Sequence, residues 1–157
     1  MEFIKTTSID AGEPDLRVKI GSLELANPVM TASGTFGYAR EFENLMNLHR
    51  LGAVIVKGIS LEARPGNPPP RIVETACGML NAIGLQNVGV DRFITEKMPY
   101  LDGLNVPVIV NILGGSVEEY REITKRLEGV PGVAGIEVNI SCPNVKEGGV
   151  AFGGDPK

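Results

Sequence analysis

Short runs of Val and Ile recur along this chain, separated by stretches of helical rhythm, and each run ends in a side chain able to do chemistry. The runs are Pro28-Val29-Met30-Thr31, Ala53-Val54-Ile55-Val56, Val106-Pro107-Val108-Ile109-Val110 and Gly135-Ile136-Glu137-Val138-Asn139-Ile140-Ser141. Apolar runs of that length, rich in β-branched residues, suit strands covered on both faces, as in a parallel sheet. Between them the spacing predicts helices through Phe42, Leu45, Met46 and Leu48, over about 90–100, and from Ser116 to about Glu128. Ser116-Val117-Glu118-Glu119 has the spacing of a capping box. Ahead of this alternation, Val18-Lys19-Ile20 and Leu23-Glu24-Leu25 flank Gly21-Ser22 and predict a β-hairpin with glycine first in the turn. The stretch from Arg64 to about Gly89, with Pro68-Pro69-Pro70, reads as one long irregular loop, a length that usually serves function.

Alternating strand and helix allows a doubly wound open sheet or a (β/α)8 barrel. The polar residues decide between them. Thr31 and Ser33, Lys57, Asn111, and Asn139, Ser141 and Cys142 all fall at or just after strand C-termini. Functional groups donated by successive strand ends mark the barrel. A dinucleotide-binding open sheet would concentrate its signal in one G-x-G-x-x-G turn, which is absent. Four strands make half a barrel and leave two edges unpaired. The chain therefore reads as an α/β fold, residues 1–157 forming the N-terminal half of one barrel domain about twice as long, preceded by the hairpin. The Gly-rich stretch running to Lys157 is the kind of exposed loop that proteases cut, so a nick with the second half still bound is the expected reason for the length. The rival is a chain that simply stops here, whose exposed apolar half barrel should aggregate.

Composition narrows the function classes. With 15 Lys and Arg against 19 Asp and Glu, the 157-residue chain carries a net charge of −4, which argues against nucleic acid as the main partner. No apolar run has bilayer length and no secretory h-region is visible, so a membrane is not expected and the cytoplasm is the default compartment. Two cysteines, Cys77 and Cys142, make no disulfide framework, and Cys77 reads as structural. No metal-ligand spacing is present. Having 20 Gly and 11 Pro in so short a chain implies tight turns, or backbone kept bare for a ligand.

Asn139-Ile140-Ser141-Cys142-Pro143-Asn144 is the most informative segment. A thiol at a strand tip, between side-chain amides, suits chemistry on a planar imide-like ring. The same residues also suit a buried structural cysteine with turn asparagines. Lys57, closing an apolar strand, either meets an anion such as a phosphate, a carboxylate or a reduced flavin, or snorkels to the surface. The loop from Gly78 to Asn87 is apolar with three amides. It either folds over a small polar ligand, with Asn81 reading it, or packs under the barrel. His49 reads as a solvated or capping residue.

Taken in order, Ala32-Ser33-Gly34-Thr35-Phe36-Gly37, Val56-Lys57-Gly58-Ile59-Ser60, Asn81-Ala82-Ile83-Gly84-Leu85-Gln86-Asn87, Val110-Asn111-Ile112 and Asn139-Ile140-Ser141-Cys142-Pro143-Asn144 resemble the dihydroorotate dehydrogenases. Those are flavoprotein barrels of pyrimidine biosynthesis, and the resemblance runs from Leu16 onward. A cysteine at position 142 resembles the cytosolic class, whereas membrane-bound members carry serine. Asn144-Val145-Lys146-Glu147-Gly148-Gly149 resembles the NAD-dependent type. Fumarate-using relatives continue differently, and dihydropyrimidine dehydrogenases place His where Asn144 stands.

The resemblance implies oxidation of dihydroorotate to orotate. Cys142 would be the general base for the proton at C5, and the hydride from C6 would pass to FMN. It implies FMN contacts from Ser33, Lys57, Gly58, Asn111 and Asn139. Substrate contacts would come from Lys57, Asn81, Ala82, Ile83, Gly84, Leu85, Asn139 and Asn144. It further implies a partner subunit carrying FAD and a [2Fe-2S] cluster, in a heterotetramer built on a homodimer of catalytic subunits. A fumarate-dependent or dihydropyrimidine dehydrogenase-like flavoprotein is the enzymatic alternative. An inactive half barrel acting only in assembly is the non-enzymatic one.

Overall fold

The computed structural model describes residues 14–141 and 153–154. Strands β1 (Val18–Ile20) and β2 (Leu23–Leu25) form the antiparallel hairpin the alternation predicts, with Gly21 at φ +59° in its turn. The main sheet is parallel and contains β3 (Val54–Ile55), β6 (Val108–Ile112) and β7 (Val133–Val138), in that order. Met30 adds a parallel bridge to Ala53 on the far side of β3, so the predicted first strand is reduced to one paired residue. Each parallel segment lies beside its predecessor in the chain. Among the described residues the order never reverses, as it must at the switch point of a doubly wound sheet.

Pairing continues beyond the named strands. Ile59 N–H donates to the Asn111 carbonyl (2.9 Å), Leu113 N–H to Ile59 (3.0 Å) and Asn139 N–H to Ile112 (2.9 Å). These bonds hold the C-terminal ends of three strands in one row.

Period-two alternation sends side chains to opposite faces. Val54, Val56, Val108, Val110 and Ile112 face the helices and are buried, packing with Phe93, Leu101, Ile123 and Leu127 into one apolar cluster. Each such side chain contributes roughly 1.5–3 kcal/mol by leaving water. The opposite face carries Ile55 and Lys57, Ile109 and Asn111, and Glu137, matched in register as Ile55 with Ile109 and Asn111 with Glu137.

Helical segments follow the predicted spans with two differences. Over 90–102, α1 (Val90–Arg92) and α2 (Met98–Asp102) are joined by a π-helical turn at Phe93–Lys97. Pro99 lies in the first turn of α2, and its missing N–H breaks the regular ladder there. The helix predicted through Phe42 and Leu48 is instead two single 3-10 turns, Arg40–Phe42 and Leu48–Arg50. Asn47 caps the second by accepting from His49 N–H, a local bond that competes with continuous helix.

Helix α3 (Val117–Leu127) forms where predicted. Ser116 Oγ accepts from Glu119 N–H at 3.2 Å, while the Glu119 carboxylate takes Gly115 N–H at 2.7 Å, so the cap spans one residue more than a standard box. Ile123 and Leu127, four apart, form its buried contact.

The long irregular loop expected between Arg64 and Gly89 is corrected. It contains a second antiparallel hairpin, β4 (Ile72–Thr75) and β5 (Gly78–Asn81), closed through Ala76-Cys77. Its residues are exposed on both faces, so no one-sided apolar pattern betrays it. Cys77, expected to be structural, is an exposed free thiol at the tip.

Candidate active site

The strand ends open onto a cavity of about 210 Å³ lined by Ser33, Gly34, Lys57, Gly58, Asn81, Ile83, Gly84, Leu85, Asn111, Leu113 and Asn139. Residues spaced over more than a hundred positions therefore meet in one place. Of the site residues named from sequence, Ala82 does not line this cavity. Cys142 and Asn144 lie outside the described residues.

Each wall has a local cause. Thr31 replaces part of the missing first strand, since its Oγ1 accepts from Ile55 N–H (2.8 Å) and donates to the Ile55 carbonyl (3.0 Å). That bond pair delivers Ser33 and Gly34 to the rim. Lys57 stands two residues past the end of β3 and its N–H donates to Gly37 O (2.9 Å). Lys57 is half-buried, lines the cavity, and among the described residues is in none of the ion pairs. Such a group favours an anionic ligand or developing negative charge.

The Asn81–Asn87 loop is tied down at its end by Asn87, a buried amide that sequence reading left out of the site. Its Oδ1 accepts from Ser60 N–H (3.2 Å) and Gly89 N–H (2.9 Å), and its Nδ2 donates to Ser60 Oγ (2.8 Å) and the Leu85 carbonyl (2.9 Å). At its start the loop is held by Ala82 N–H to Arg71 O (2.8 Å) and Asn67 Nδ2–H to Ala82 O (2.8 Å). Ala82 is thus a tether whose backbone serves the hairpin.

The floor is made by Asn111 and Gly58. Asn111 is 3% exposed and its Nδ2 donates to Glu137 Oε1. A Cβ on Gly58 would sit 2.7 Å from Asn111 Oδ1 and 2.9 Å from Leu113 Cδ2, so only glycine lets the amide lie flat against the backbone. Leu113 is the apolar lining residue that sequence reading missed, two positions beyond Asn111.

At the end of β7, Tyr120 Oη donates to the Asn139 carbonyl at 2.6 Å, fixing the strand tip three residues before Cys142. Tyr120→Phe is expected to lower stability by about 1 kcal/mol, the usual net worth of one hydrogen bond. Chemical denaturation of the full-length polypeptide measures it, and an unchanged midpoint would show that the bond adds nothing.

A larger open groove of about 870 Å³ lies elsewhere, between Glu43–His49 and Tyr100. Its two asparagines, Asn44 and Asn47, lie within one turn segment, Asn47 is used as a helix cap, and the His49 Nδ1 there is engaged with Leu104 O at 2.8 Å. Among the described residues no cluster of three His, Cys, Asp or Glu side chains could hold a metal ion. No described helix is long and apolar enough to cross a membrane.

The cavity has the donor set of a planar-ring site: Lys57, Asn111 and Asn139 at or just after parallel strands, the Asn81 amide from the end of the β4–β5 hairpin, and bare glycine backbone. A family model described as dihydroorotate dehydrogenase matches residues 15–157. The chain belongs to the dihydroorotate dehydrogenase family. It is 60% identical over 145 residues to the catalytic subunit of dihydroorotate dehydrogenase B (NAD(+)) of Geotalea uraniireducens, covering 92% of this chain and 48% of that protein. It is 62% identical over 144 residues to the same-named subunit of Pelobacter propionicus, covering 92% and 47%. Among solved structures, the Eimeria tenella DHODH in complex with ferulenol superposes with a TM-score of 0.65 at 26% identity, covering 88% of this chain and 40% of that one. The chain spans about half the length of the curated relatives it matches.

Proposed function

We propose that this chain is the N-terminal half of an FMN-binding (β/α)8 barrel and that the completed barrel oxidises dihydroorotate to orotate. The observation that carries the reading is the cavity at consecutive parallel strand ends, where Lys57, Asn81, Asn111 and Asn139 converge. In a barrel, loops after the later strands add a phosphate site. The C-terminal half would supply it here. When bound, FMN supplies the acceptor for the hydride.

The remaining roles belong to this chain's side chains. Ser33, Gly58, Asn111 and Asn139 would hold the flavin, Gly58 by leaving room for the Asn111 amide beside it. The ammonium of Lys57 stabilises negative charge that develops beside it. Asn81, Asn139 and Asn144 pair with the donors and acceptors of the substrate ring and its carboxylate, and Ile83 to Leu85 close over them. Cys142, as thiolate, takes the C5 proton on Sγ.

The named relatives are NAD(+)-type catalytic subunits, which supports electron delivery to NAD+ through a partner subunit carrying FAD and [2Fe-2S]. We place the assembly in the cytoplasm, as a heterotetramer around a dimer of catalytic subunits. The test uses the full-length catalytic subunit. It is expected to purify with flavin absorbance and to bleach on adding dihydroorotate. It should reduce NAD+ only once the partner is supplied. NAD+ reduction without a partner, or rapid turnover with fumarate, would contradict the acceptor assignment. A full-length protein without flavin would overturn the whole reading.

A further inference from the structure

Glu137 is the one carboxylate on the cavity-side face of the described parallel strands, and neither the resemblance nor the strand-end pattern assigns it a task. It stands opposite Asn111 in the β6–β7 register, half-buried, and accepts the Asn111 Nδ2–H bond. An ionised carboxylate can only accept. It therefore fixes which end of the Asn111 amide turns toward β7, and the oxygen must turn the other way. In the same orientation Asn111 Oδ1 is the atom nearest to where a Gly58 Cβ would stand, at 2.7 Å.

From this we infer that Glu137 is a positioning residue, which locks the Asn111 amide so that its oxygen is presented to the cavity as a hydrogen-bond acceptor. The group it prepares for is a donor on bound FMN, the ring N–H or a ribityl hydroxyl. This rests on the FMN reading above. Without Glu137 the amide is free to flip, and half of its orientations meet the donor with an N–H instead.

The test is FMN titration of the full-length apoprotein, followed by quenching of flavin fluorescence. Glu137→Gln keeps the volume but can donate as well as accept. It is expected to weaken FMN binding about tenfold, the upper end of the scale of one neutral hydrogen bond. In an Asn111→Ala background the same change is expected to do nothing, because there is no amide left to orient. Glu137→Asp keeps an acceptor-only group and is expected to bind FMN better than Glu137→Gln.

Wild-type affinity in Glu137→Gln overturns the inference. So does an equal loss in the Asn111→Ala background, which would mark a direct charge effect, and so does an Asp variant no better than Gln. In each of these cases wild type still binds FMN and the functional reading stands. A wild-type protein that takes up no FMN overturns both.

Discussion

Replacing Cys142 by Ala in the full-length protein is expected to leave FMN bound and to slow its reduction by dihydroorotate at least ~10²-fold, the usual scale for losing a general base. The expectation rests on chain placement. The backbone of Asn139 is fixed on both sides of its Cα, its N–H donating to Ile112 O and its carbonyl accepting from Tyr120 Oη. Asn139 also lines the cavity, and Cys142 follows it by three residues. A thiol must lose its proton before it can take another. Flavin reduction should therefore rise with pH through thiol ionisation in wild type and lose that rise in the Ala variant. Stopped-flow bleaching of the flavin absorbance reads both. Near wild-type speed in Cys142→Ala, or an unchanged pH profile, removes the thiol from the mechanism.

How far the chain reveals itself depends on whether a residue's role is local. The β1–β2 hairpin was legible because Gly21-Ser22 and the alternation around it are neighbours in sequence. Helix α3 was legible because Ser116 and Glu119 form their cap within one turn. The parallel strands were legible as apolar runs, yet the first of them survives only as Met30 against Ala53, with Thr31 supplying side-chain bonds in place of a ladder. No local pattern announces that substitution. The β4–β5 hairpin was missed for the opposite reason. Ile72, Val73, Met79 and Leu80 are all more than half exposed, so the usual one-sided signal of a strand does not exist there.

The cavity followed the same division. Residues at strand ends were legible, because a polar group after an apolar run is a visible event. Asn87 and Glu137 were not. Asn87 matters through Ser60, and Glu137 through Asn111, in each case a partner more than twenty residues away. Alternation alone explains a polar residue at 137 and leaves its task hidden.

The second large effect is expected at Gly52, where the fold allows no side chain. A Cβ there would stand 1.9 Å from the Asn27 carbonyl oxygen and 3.1 Å from Val29 O. Both obstacles are backbone, so no rotamer change relieves them. The segment is also held in place, by Gly52 N–H to Val29 O (2.8 Å) and Asn27 Nδ2–H to Arg50 O (3.0 Å). Gly52→Ala must therefore push Asn27–Met30 away from the sheet. That breaks the Met30 bridge and strains the Thr31–Ile55 pair, and with them the placement of Ser33 and Gly34 on the cavity wall. Losses of this kind belong to the overpacking class, and we expect about 3 kcal/mol or more in stability together with weakened FMN retention. Gly78→Ala is the comparator, because its nearest neighbour is Thr75 Oγ1 at 4.0 Å, and it should stay within about 0.5 kcal/mol of wild type. Urea denaturation of the two full-length variants side by side measures the difference. If Gly52→Ala unfolds at the same concentration as Gly78→Ala, the close approach of the Asn27 backbone does not hold the first wall of the site.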